Sequence, residues 1–358
     1  MGDREVKPTL FLHIGHSKVA STSIQDFLEA NLDSLRSKGF LVANNDFAFP
    51  ETGKAAANPV GALEQLHDQG EAGAQRIQAR LRELHARLTT RGSGFDKAVI
   101  SAENLCNPGF STAFAPALDL FDVHLIYYVR RQDEWLISAW KQWGIKAGKS
   151  LDEFCLEGTK TRYPAFTVAL QRWEPFATQI RLKPLHKSAL HQGGVTQDFA
   201  HAIGLDAKQF HHPGIRNASF DASVLEVLRF SPHLFQHRDD DRIFHFLERF
   251  LSKEIEPMRS LLTTEARTKL HAYFEAENRA LHARFFPETD FEAIYGNRGA
   301  DAESPMPPTT ELVMRFLGLQ LRGIMDLQSR VDELERKLAQ SQQKPSSSVN
   351  GPGSARGK

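Results

Sequence analysis

Along the first 300 residues, apolar and polar positions switch between two rhythms. Short β-branched and aromatic runs at 9–14, 40–43, 98–101, 123–129 and 179–183 read as strands. Between them apolar residues recur every three or four positions. Ile24, Phe27, Leu28, Leu32 and Leu35 predict a helix over 21–36, stopped by Gly39. Ile77, Leu81, Leu84 and Leu88 predict another over 75–88, and 134–145 and 195–203 follow the same period, the last closed by Gly204. Such alternation predicts an α/β fold: a mainly parallel central sheet flanked by helices. After about Phe220 the pattern turns almost wholly helical, over 224–230, 242–255 and 264–285.

Residues 299–310 hold three prolines and few apolar side chains, and read as a linker. Beyond them Val313, Leu317, Ile324, Leu327, Val331, Leu334 and Leu338 follow a heptad spacing, with Gln320 the one polar member. That pattern predicts a coiled-coil helix over 311–340; the alternative is a single amphipathic helix folded back on the body. Residues 341–358 are rich in Ser, Gly and Pro and read as a disordered tail. The expected layout is one domain over 1–298, with a core at about 9–230 and a helical part at about 221–298.

Composition narrows the classes. Basic and acidic residues number 44 each, so the chain carries no bulk charge for nucleic acid or an anionic membrane. A local basic pocket for a small anion remains compatible with that balance. Two cysteines, Cys106 and Cys155, are too few for a disulfide framework and read as reduced thiols, which points to a cytoplasmic location. No apolar run reaches the ~20 residues of a membrane span, and residues 1–8 lack the apolar core of a secretory signal.

The segment from Leu10 to Gln25, LFLHIGHSKVASTSIQ, carries the most chemistry. A strand runs into a short loop with Lys18, and the loop opens a helix at Ser21, Thr22 and Ser23. A helix N-terminus offers unpaired N–H groups and the positive end of its dipole. With three hydroxyls and an ammonium, it makes an anion cradle. Helix capping alone accounts for only one of those hydroxyls. The nucleotide P-loop G-x-x-x-x-G-K-[ST] does not fit, because Lys18 precedes Ala20 and the hydroxyls. A second strand–turn–helix, VHLIYYVRRQDEWLIS from Val123, places Arg130 after a strand and Ser138 eight residues later. Arginine there can grip a phosphate through two bonds; equally, it can pair with Asp133 or Glu134.

The order Lys-x-small-[ST]-[ST], within HIGxxK…TSIQ, resembles the 5′-phosphosulfate loop of the PAPS-dependent sulfotransferases, in the HIGxxKTGTTSIQ form of their bacterial branch. The Arg-x7-Ser pair and the RRQDxW string resemble the 3′-phosphate site of the same family. The likeness covers about residues 9–230. It implies 3′-phosphoadenylyl sulfate (PAPS) as sulfuryl donor and adenosine 3′,5′-bisphosphate as product. Lys18 would contact the sulfuryl group and the leaving oxygen. Ser21, Thr22 and Ser23 would hold the 5′-phosphate, and Arg130 with Ser138 the 3′-phosphate. Val19 and Ala20 stand where the branch usually has Thr or Ser and Gly, and Ser21 replaces its first Thr. Serine keeps the hydroxyl, whereas alanine disfavours positive φ.

In-line sulfuryl transfer to a hydroxyl, here expected on a carbohydrate or glycolipid, needs a cation on the leaving oxygen, positioning donors and a general base. It requires no metal. Glu103, after the 98–101 strand, is the expected base, the family using a Glu or a His there. His16, inside the loop, is a second catalytic candidate. Asp46 is an outside one, and His13 reads as a core histidine. The readings left beside this one are a P-loop small-molecule kinase and a non-catalytic coiled-coil protein with a degenerate pocket. Expected partners are a small-molecule or glycan acceptor and a second copy through the coiled coil, without nucleic acid or a membrane span.

Overall fold

Strand β1 (Thr9–Ile14) is almost continuously apolar and buried, as a strand covered on both faces must be. Its neighbours explain why. In this computed structural model, which describes residues 7–214, 220, 222–247, 262–296 and 309–342, β1 lies at the centre of a five-stranded sheet. With β2 (Phe40–Val42), β3 (Lys97–Ala102), β4 (Asp122–Val129) and β5 (Gln179–Pro184), the order is β2-β3-β1-β4-β5. Every pairing is parallel. Ile14 sits opposite Ala102 of β3 and Tyr127 of β4. The three central strands therefore run out at one edge of the sheet. The chain leaves β1 for β2 on one side and returns later to β4 on the other. That makes the ends of β1, β3 and β4 the switch point where open α/β sheets hold ligands.

Helices α1 (Ser21–Ala30), α2 (Leu32–Ser37), α3 (Val60–Asp68), α4 (Glu71–Thr89) and α5 (Phe110–Leu118) connect the first four strands. Helices α6 (Gln132–Ala139), α7 (Leu151–Thr161) and α8 (Phe166–Trp173) lie between β4 and β5, and α9 (Val195–Ala202) follows β5. The helix expected over 21–36 is broken at Asn31. Its buried amide donates to the Phe27 and His211 carbonyls and accepts from the His211 N–H, each at 2.8 Å. A side chain that serves a distant backbone competes with the helix ladder and ends it there. The helix expected over 134–145 closes at Ala139 and widens into a π turn over Trp140–Gly144. There Gly144 leaves room for the Trp140 ring, which a Cβ would meet at 2.4 Å.

The later helices are α10 (Ala222–Arg229), α11 (Arg242–Leu247), α12 (Thr264–Phe285), α13 (Phe291–Tyr295) and α14 (Thr309–Gln342). Of the helix expected over 242–255, residues 248–255 lie outside the described residues, as do 299–308 of the linker and 343–358 of the tail. Helix α12 packs on α6, α7 and β5, so the helical part shares the core of the sheet. Helix α14 runs for 34 residues and touches the body at α10 and at the Phe246 ring. Among the described residues, no helix is long and apolar enough to cross a membrane.

The seam between α12 and α6 is polar. Gln132 and Asn278 exchange two amide hydrogen bonds of 2.7 and 3.0 Å. Beside them Asp133, 1% exposed, accepts from Arg131 Nε at 2.7 Å and faces His271 at 3.3 Å and Arg267 at 4.0 Å. Burial works against its ionisation, but the hydrogen bonds from His271 and Arg131 outweigh it and hold the carboxyl at about 2. A carboxyl held down on folding stabilises above its unfolded value and loses that stabilisation as pH falls through the folded one. Asp133→Asn should therefore cost about 2 kcal/mol at neutral pH. In urea unfolding, the gap from the natural chain should close as pH falls from 4 towards 2.

Candidate functional site

Residues 15–20 leave β1 and turn into α1 through an unusual backbone. Lys18 has φ 70° and Ala20 φ 69°, both left-handed. For a residue with a Cβ this costs ~1–2 kcal/mol each. The sequence led us to expect alanine to resist this geometry at position 20; the loop adopts it nonetheless. Ala20 precedes α1 without a side-chain cap, and no acidic residue lies in the first turn. The first N–H groups of α1 therefore have no intrahelical partner. Ser21 is buried, and its hydroxyl has no hydrogen-bond partner among the described residues. Ser23 is half-buried and Thr22 is exposed.

Arg130, at the end of β4, reaches over this loop. Its guanidinium donates to the Lys18 carbonyl at 3.3 Å while its Nε faces Glu134 at 3.3 Å. One contact thus joins the two sequence motifs, and the Glu134 pairing was the bland alternative for this arginine. Both are present. Ser138, on α6 two turns beyond, is half-buried. Trp135 on the same helix donates its indole N–H to the Ser17 carbonyl at 2.7 Å and fixes the loop from below.

Glu103 follows β3 directly and is half-buried. Burial raises its carboxyl above the usual range, while Lys18 pulls it back and Glu64 adds to the rise. Lys18 answers in kind. Burial lowers its ammonium, Glu103 and Asp241 oppose that, and Arg130 and Lys146 reinforce it. Lysine, carboxylate and arginine thus share one electrostatic environment at the ends of three adjacent strands.

His16 takes a different place. Its Nδ1 lies 2.9 Å from the Tyr127 hydroxyl, and Tyr163 and Phe166 flank the ring. Burial, with Arg172 nearby, pushes it down to about 4. The ring is thus held among aromatic side chains and tied to Tyr127 beside the loop. His13 pairs through Nδ1 with Ser101 Oγ at 2.8 Å, but its buried Nε2 has no hydrogen-bond partner among the described residues. Burial pushes His13 to about 3. Asp46 is exposed in the loop after the edge strand β2.

Two lysines were not singled out from the sequence. Lys141, in the π turn, is lowered to about 8 by burial and then by Arg130. The Lys146 side chain is 2% exposed and bound to Asp241 at 2.6 Å. Neither follows a motif, and the π turn shifts both off the helical rhythm that could have marked them. Beside the loop opens a cleft of about 550 Å³, walled by Trp135, Trp143, Phe154, Tyr163 and Phe235. The Arg238 guanidinium lies 4.6 Å from the Trp143 ring centre at its mouth. Tyr163 feels both Glu103 and Arg238, so the cleft and the carboxylate are neighbours.

No family model matches the chain. An uncharacterized protein of Archaeoglobus fulgidus is 25% identical over 195 residues, 52% of this chain and 53% of its own. The chain thus spans about half the length of that relative, and the likeness assigns no activity.

The strained position 20 gives a direct test of the loop. Ala20→Gly removes the ~1–2 kcal/mol left-handed penalty but frees the unfolded chain by ~0.4–1 kcal/mol. The expected net is a gain of about 0.5–1 kcal/mol in chemical unfolding. A loss of stability would show that the left-handed geometry is not held in solution.

Proposed function

We propose that the chain is a PAPS-dependent sulfotransferase that sulfates a hydroxyl of a carbohydrate or glycolipid. The observation that carries this reading is the buried Ser21 hydroxyl, without a hydrogen-bond partner among the described residues, at the uncapped start of α1, beside Lys18 and Arg130. A buried hydroxyl without a partner is costly. An anion accepting from it and from the adjoining N–H groups removes that cost. The donor set of ammonium, hydroxyl, N–H groups and guanidinium suits a phosphosulfate with a second phosphate.

In this reading PAPS supplies an activated sulfuryl group. Ser21, Ser23 and the α1 N–H groups bind its 5′-phosphate; Arg130, Ser138 and the nearby Lys141 take the 3′-phosphate. Thr22, exposed, has the outermost place in the cradle. The acceptor enters the aromatic cleft, where a sugar ring can stack on tryptophan and tyrosine faces. Glu103, raised by burial, takes the proton from the acceptor hydroxyl. The acceptor oxygen forms its bond to sulfur as the sulfur–oxygen bond to the phosphate breaks. The electron pair remains on the phosphate oxygen, where Lys18 stabilises the charge.

Incubation with PAPS carrying radiolabelled sulfate and a panel of glycans and glycolipids tests the reading. Transfer is expected without added magnesium, and Lys18→Ala should lower turnover by at least ~10². Transfer of phosphate from ATP, with none of sulfate from PAPS, would favour a kinase instead. Arg130→Ala should weaken adenosine 3′,5′-bisphosphate binding by about 10- to 100-fold, the scale of a lost charged hydrogen bond. Unchanged affinity in a calorimetric titration would remove Arg130 from the site.

A further inference from the structure

Helix α14 presents an apolar stripe to solvent. Leu317, Ile324, Leu327, Val331 and Leu334 are between 46 and 65% exposed, on a helix not apolar enough to cross a membrane. Single exposed leucines are ordinary, but a stripe sustained along one helix face marks an interface. The Phe246 ring seats the helix on the body at Gly323, where a Cβ would approach it to 2.5 Å. Ile324, the next residue, is still 62% exposed, so that seat leaves the stripe open.

We infer that α14 pairs with α14 of a second copy of this chain, as a parallel, in-register two-stranded coiled coil. Side-chain types along the stripe select this arrangement. With Leu317 at heptad position a, the a positions downstream are Ile324, Val331 and Leu338, the β-branched pair lying in the middle, and the d positions are Leu327 and Leu334. β-Branched residues at a with leucine at d favour two parallel strands. Gln320 falls at d, and parallel in-register pairing sets it against the Gln320 of the second copy. An antiparallel pair would set that amide against an apolar side chain and leave it unpaired.

Charge selects the same orientation. Arg330 stands at g and Glu335 at e of the next heptad, the two positions that face each other across a parallel seam. Antiparallel pairing brings g against g, which would place Arg330 and Lys337 together. Within the helix Arg330 faces Asp326 at 3.6 Å and Lys337 faces Glu333 at 2.7 Å. These are exposed pairs of small worth that leave the long cations free to reach across. The seam from Leu317 to Leu338 is ~30 Å long at 1.5 Å per residue.

Sedimentation of the full chain should give twice the 40.2 kDa monomer mass. Val331→Asp with Leu334→Asp should give folded monomers, because within one copy both residues are exposed. Arg330→Glu should weaken the dimer about tenfold, and Glu335→Arg in the same chain should restore it. Leu327→Cys and Leu334→Cys, made separately, should each cross-link to its own copy on oxidation; the native Cys106 and Cys155 are buried. A monomeric natural chain, or a dimer that survives the double aspartate change, would overturn the proposal. Cross-linking at only one of the two cysteine positions would overturn the parallel register.

Discussion

The pairing of β1 between β3 and β4 is the constraint on which the candidate site depends. Parallel register sets Ile14 level with Ala102 and Tyr127, so the chain leaves three strands at one edge. Lys18, Glu103 and Arg130 come from segments far apart in sequence, and only this pairing makes them neighbours. The N-terminus of α1 then faces the same edge, adding directed N–H groups to the side chains.

What gathers there is costly to hold. Two residues hold left-handed backbone, a hydroxyl is buried without a partner among the described residues, and Lys18, Arg130, Lys141 and Lys146 crowd one region. Glu103 and Asp241 offset part of the charge. The rest of the fold bears the cost: Trp135 holds the loop from beneath, and the Asp133 hub clamps α12 to the start of α6 next to Arg130. Strain concentrated at a loop and held by rigid surroundings is the common condition of ligand-binding sites.

The fold was largely legible in the sequence because strands buried on both faces read as apolar runs, and all five runs became strands of the sheet. Helix boundaries were less so. Asn31 ends α1 through a bond to His211, a contact no local pattern contains. Short helices such as α5 and α8 carry too few turns for a clear period. Of the candidate site, Lys18, Glu103 and Arg130 stood out because each follows a strand end, and Ser21 because it opens the helix behind the Lys18 loop. His16 stood out as a histidine inside the loop, and its ring packs against Tyr127 and Phe166. Lys141, Lys146 and Asp241 depend on a π turn and on packing between distant helices, which sequence spacing does not encode.

The central claim is that the turn between β1 and α1 holds the phosphosulfate end of PAPS. A crystal structure of the protein with adenosine 3′,5′-bisphosphate tests it most directly. The account predicts the 5′-phosphate at the start of α1, within hydrogen-bond distance of the Ser21 hydroxyl, and the 3′-phosphate beside Arg130. A bisphosphate bound elsewhere, or none at saturating concentration, would contradict it.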